Sequence, residues 1–301
     1  MGFSSELLPG WFLSELSPSV YAHDITGRFT EKMSDTNQSP STPAKEDRGG
    51  SKIPEITLAF WIMKICATTL GETGGDLLSM TLNVGYAVSS LILISIFAVT
   101  LASQLIAKKF HPWLYWAVIL STSTAGTTMS DYMDRTLGIG YAKGSLILVT
   151  ILLAVLGFWR WKEGSLAVTN IRSVRVEVLY WVAILFSNTL GTALGDFLAD
   201  SSGLGFAGGA LLIGGLIALV AAAHYFTKIS KVLLFWVAFV LTRPFGATMG
   251  DVLTKSREQG GLNLGTAGSS IVLATILAAL IFFSMRKRED AVAAPAISPA
   301  D

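Results

Sequence analysis

The sequence predicts an all-α membrane protein of eight transmembrane helices, arranged as four parallel helical-hairpin repeats with pseudo-fourfold or nested twofold symmetry. Three observations predict it. The chain is 51% hydrophobic and 14% charged with a mean hydropathy of +0.57, where a soluble domain averages about 25% charged. One seven-residue motif occurs four times, as LGETGGD (70–76), AGTTMSD (125–131), LGTALGD (190–196) and FGATMGD (245–251). Each copy has Gly five residues before its Asp and Trp fifteen before it, a fixed offset that marks an internal repeat.

Each repeat contains two apolar segments. The first carries the Trp and ends at the Asp, as in Pro54–Asp76, Pro112–Asp131, Val176–Asp196 and Val232–Asp251. The second opens at Gly85, Gly140, Gly205 or Gly265 and continues through small residues. Runs near the roughly 20 residues a bilayer requires favour helices over strands of about 10. Backbone groups in lipid must pair internally, and helices of this length achieve it. Unit 4 has a five-residue insertion near 255–260. The Asp residues are separated by 55, 65 and 55 positions, which suggests two nested duplications.

The expected organisation is a disordered cytoplasmic tail (1–52), repeats at 53–110, 111–162, 176–227 and 231–285, and a second tail at 286–301. The first tail is polar and aperiodic, as disordered segments are. Met33-Ser34-Asp35-Thr36 reads as a start of translation as well as Met1 does. Two spans per unit make all units parallel, so the four Asp motifs lie toward one side. Fourteen Lys and Arg lie on the side of the termini against three in the turns that follow the motifs. The positive-inside rule then places both termini in the cytoplasm and the motifs outward.

Asp76, Asp131, Asp196 and Asp251 are the candidate ligands of a cation. Thr73, Thr128, Thr192 and Thr248 lie near them on the same helices, and together they form an oxygen-rich cup. Nearby carboxylates in low dielectric require a positive guest or shared protons, and oxygen ligands suit hard divalent cations. Met129 and Met249 tilt the choice toward Mn²⁺. Glu72, one turn before Asp76, is either a proton carrier or an ion-pair partner, and Arg243 is expected to neutralise one acid. The competing reading is that the Asp residues cap the turn, where negative charge is favoured. The Gly-x-x-x-Gly/Ser spacing is a helix-packing face in either case. The Trp residues are expected to anchor at the interface or to pack.

The Trp…Thr-x-x-Gly-x-x-x-Gly-Asp unit, repeated over residues 53–285, resembles a bacterial integral-membrane repeat family of unknown function. The resemblance implies the bacterial inner membrane and hands over no activity. The stretch Glu72–Asp76 is also similar to the Glu-x-Gly-Asp motif of a family of cation exchangers, with one residue more between the acids. The expected function is therefore transport of a cation, most plausibly a divalent metal such as Mn²⁺, with proton coupling as an option. A non-transporting scaffold and a small organic-solute carrier are the alternatives. The lipid bilayer and a cation are the expected partners, and homo-oligomerisation stays open. No cofactor, enzymatic activity or nucleic acid is expected, since no catalytic triad, phosphate loop or basic-aromatic platform occurs. Cys66 is the one cysteine, so no internal disulfide or cysteine metal site forms.

Overall fold

The computed structural model of the chain describes residues 52–168, 171 and 173–293, with side chains up to 287. The expected N-terminal tail lies outside the described residues apart from Lys52. Eight α-helices carry the fold: α1 (Leu58–Asp76), α2 (Tyr86–Ile106), α3 (Pro112–Asp131), α4 (Tyr141–Glu163), α5 (Val174–Asp196), α6 (Gly205–Phe226), α7 (Lys231–Thr254) and α8 (Thr266–Ala293). No strand occurs among the described residues. Six helices (α2 and α4–α8) are long and apolar enough to cross a membrane. The other two, α1 and α3, are 19 and 20 residues long but carry Lys64, Glu72 and runs of hydroxyl residues. Both lie inside the bundle, where protein rather than lipid surrounds them. The chain is a helical membrane protein.

The odd-numbered helices form a closed inner ring: α1 packs on α3, α3 on α5, α5 on α7, and α7 back on α1. The even-numbered helices lie outside, each against the inner helix that follows it. Thus α2 covers α3, α4 covers α5, α6 covers α7, and α8 closes the circle on α1.

Glycine sets the closeness of the inner ring. A Cβ on Gly71 would strike Ser123, one on Gly126 would strike Asn188, one on Gly191 would strike Arg243, and one on Gly246 would strike Thr68. In each case the partner lies eight residues before the Asp of the next helix round the ring. The bare glycine surfaces let backbones approach and gain dispersion contact where lipid offers no hydrophobic drive.

Two boundaries differ from the sequence reading. The first segments of units 1 to 3 do not stop at the Asp. They continue for one wider π-helical turn, Leu77–Thr81, Tyr132–Thr136 and Phe197–Ser201, before the chain turns. Such turns are rare and recur at functional sites. At the other end, α8 runs on to Ala293 rather than ending at Met285. Its extension is made of good helix formers, and the Arg286 guanidinium lies 4.7 Å from the Phe282 ring one turn back. The even helices begin where expected; Gly85, Gly140 and Gly265 adopt φ of 81°, 79° and 75°, a turn conformation that side chains resist.

At the end opposite the motifs, aromatic rings fill the bundle. Trp116, Trp181 and Trp236 are buried, so these motif tryptophans pack rather than anchor at an interface. The Tyr115 and Tyr180 hydroxyls share a hydrogen bond of 2.8 Å. The α4–α5 connection tucks beneath, with Val168 and Ile171 buried and the Leu166 carbonyl accepting from Trp236 Nε1 at 3.1 Å. Lys52 ties the start of the described chain to this end through Glu177 at 2.9 Å.

Candidate functional site

The inner helices turn one stripe inward, and it advances four residues per step, along the i±4 ridge of a helix. In α1 the stripe is Lys64, Thr68, Glu72, Asp76; in α3, Ile119, Ser123, Thr127, Asp131. In α5 it is Ile184, Asn188, Thr192, Asp196, and in α7 Phe239, Arg243, Ala247, Asp251. All sixteen are buried. Read across the ring, they form four levels.

The uppermost level holds the four aspartates, with side chains only 2–4% exposed. Two basic residues divide them into pairs. Arg135 lies 2.9 Å from Asp131 and 3.0 Å from Asp196. Lys255 lies 2.9 Å from Asp76 and 3.2 Å from Asp251. Each base stands four residues after the Asp of its own unit and reaches the Asp of the next helix. Burial disfavours the Lys255 cation, but the flanking carboxylates outweigh it and hold the ammonium above its ordinary range. Asp76, Asp131 and Asp196 make no capping hydrogen bond at the π turns they precede. Their partners are these bases instead.

The second and third levels meet at Glu72. Its Oε2 accepts from Arg243 Nη2 at 3.0 Å, from Thr127 Oγ1 at 3.3 Å and from Thr192 Oγ1 at 3.4 Å. All four inner helices thus converge on one carboxylate. Arg243 Nη2 also lies 2.5 Å from Thr127 Oγ1 and 2.7 Å from Thr192 Oγ1. Ala247 occupies the position in α7 that Glu72 holds in α1, and its small side chain leaves room for the guanidinium rising from the turn below. Lys64, on the lowest level, is fully buried with no hydrogen-bond acceptor among the described residues, and its ammonium stands 4.0 Å above the Phe239 ring.

The sequence-predicted residues divide. Asp76, Asp131, Asp196, Asp251, Glu72 and Thr192 face the axis. Thr73, Thr128 and Thr248 do not gather there: Thr73 bonds Leu70 O and Ser270 of α8, Thr128 bonds Ala125 O, and Thr248 bonds Pro244 O. They stand three residues before their Asp, whereas the axis takes the fourth. Thr127 is the hydroxyl that sequence reasoning missed. Arg243 neutralises one acid, as expected, and that acid is Glu72; the aspartates are neutralised by Arg135 and Lys255. Each of these two stands four residues after an acid in the sequence, which hints at one partner of each base but not at the second.

One oxygen each from Glu72, Asp76 and Asp251 lies within 4.8 Å of the others. Three buried carboxylates at that separation have the donor chemistry for a hard cation, with the Lys255 ammonium now among them.

Fold and site together define a multi-helix membrane protein with a charged axis. A model of the Repeat of Unknown Function (DUF347) matches four times, at residues 59–110, 114–165, 179–230 and 234–290, and the chain belongs to that family. No curated protein and no solved structure matches it.

Proposed function

We propose that the protein is a cation transporter of the bacterial inner membrane, with a divalent metal such as Mn²⁺ as its substrate, in which Glu72, Asp76 and Asp251 form the binding locus. The convergence of three buried carboxylates carries this reading. Ionisable groups inside a membrane protein are costly and mark ion or proton pathways. The arriving cation replaces Lys255, which already holds Asp76 and Asp251 as a tethered positive charge. Asp131 and Asp196, held by Arg135, form the equivalent pair across the axis. Glu72 gives a route for proton coupling, because it can pass a proton upward when Arg243 withdraws. The four hairpins are read as parallel units about a common axis, with termini in the cytoplasm as the distribution of Lys and Arg indicates.

The test is uptake of Mn²⁺ into proteoliposomes. Asp76→Asn and Asp251→Asn are expected to reduce the initial rate at least tenfold, with the purified protein still folded. Uptake equal to the wild type in both variants overturns the proposal. A second reading, a non-transporting scaffold, is favoured by the pairwise neutralisation of the aspartates. It predicts that the same variants lose thermal stability and that the wild type moves no cation.

A further inference from the structure

An outer helix can also reach the inner helix beyond the one it covers. Three of the four do so. Gln104 of α2 reaches Glu177 of α5 at 3.3 Å, past α3. Trp159 of α4 stacks edge-on against Trp236 of α7 with ring centres 5.6 Å apart, past α5. Helix α8 touches α3, past α1. Between α6 and α1, past α7, the corresponding place is an open crevice of about 580 Å³. Its walls are apolar: Trp61 and Ile65 from α1, Val220 from α6, Phe235 and Ala238 from α7. It runs along α7 from Lys231 to Thr242, eleven residues or about 16 Å. That is close to half of a hydrocarbon core about 30 Å thick.

We propose that this crevice binds one anionic phospholipid from the leaflet on the side opposite the aspartates. Its apolar walls face the acyl region, and its depth matches one leaflet. Its lining includes Lys231 and His224 at one end, with Lys228 exposed in the intervening turn, and among the described residues no acidic one lines it. An acyl chain fills the space that protein fills at the other three places, and the basic rim holds a headgroup phosphate at the interface. The site lies away from the charged axis and does not depend on transport.

Native mass spectrometry of the full chain, released from mild detergent after incubation with phosphatidylglycerol or with phosphatidylcholine of the same acyl chains, tests this. The wild type is expected to retain one phosphatidylglycerol at least fivefold more than phosphatidylcholine. Ala238→Trp, and Ala221→Trp from the opposite wall, are each expected to lose more than half of that bound lipid. Lys231→Gln, at an exposed position, is expected to bring phosphatidylglycerol down toward the phosphatidylcholine level, and it carries the test if neither tryptophan variant folds. Equal retention of the two lipids by the wild type overturns the proposal. So does wild-type retention by folded tryptophan variants, or by Lys231→Gln.

Discussion

Arg243 Nη2 lies 3.0 Å from Glu72 Oε2, and both side chains are enclosed by protein at the centre of the ring. Removing one member leaves the other charge buried without its partner, a loss of about 3–5 kcal/mol in comparable pairs. Glu72→Gln and Arg243→Met are each expected to lower stability by that order. The double variant is expected to recover much of the loss, because no lone charge remains. Unfolding of all four proteins in detergent gives the coupling energy directly; strictly additive losses would show that the pair is not coupled.

The Gly71 and Gly246 contacts predict a contrast between glycines. A methyl group at Gly71 strikes Ser123, and one at Gly246 strikes the side chain and then the backbone of Thr68, so either Gly→Ala change forces two inner helices apart. Overpacking of this kind costs about 1–3 kcal/mol. At Gly157 and Gly215 an added methyl would meet nothing within 4 Å. Alanine there is expected to be neutral or slightly stabilising, since it favours the helix. Melting temperatures of the four variants separate the two classes.

Lys255 sets a pH dependence. Its ammonium is held above its ordinary value of 10.5 by Asp251 and Asp76, against the opposing effect of burial. A base whose affinity for its proton rises on folding stabilises fully below its unfolded value and loses that stabilisation only as pH climbs through the folded one. The stability difference between wild type and Lys255→Gln should therefore not narrow from pH 7 to pH 10, and should narrow only in stronger alkali. A difference that shrinks between pH 7 and 9 would contradict the pairing. The same variant is expected to bind Mn²⁺ more tightly, as it removes the competing charge.

Trp159 joins α4 to α7 and is completely buried. Truncation to alanine empties a place where α4 reaches beyond α5, with an expected cost of about 3–5 kcal/mol. Trp161, two residues on and 74% exposed, is the control, and Trp161→Ala is expected to change stability little. Denaturant midpoints of the two variants check this.

Much of the architecture was legible because repetition supplied it. The Gly that opens each second segment and the Asp that closes each motif located the helices to within a few residues. The aspartates were legible as a set on one side of the molecule for the same reason, but their burial was not, because a straight helix of that length ends near the interface. The threonines were not, because positions three and four before an Asp lie on nearly the same side of a helix. Only the packing of neighbouring helices decides which of the two meets the axis. Thr73 and Thr127 differ by that one position, and α8 receives the first while Glu72 receives the second. The π turns also escaped the sequence, since their residues carry no break signal and ordinary helix is the default expectation. The roles of Arg135 and Lys255 depended on which helix follows which round the ring, which chain order alone does not dictate.

The hand-over of each outer helix to the next inner helix has a bearing on biosynthesis. When α1 emerges, the helix that will cover it is made seven helices later. Cys66 Sγ reaches the Leu273 carbonyl and Thr73 meets Ser270 only once α8 arrives. Until then α1, with Lys64 and Glu72 on it, lacks its covering helix among the described residues and depends on transient company in the membrane. A ribosome that stops short of α8 leaves an open crescent, and quality-control proteases that survey unassembled polar helices have in that gap a reason to act.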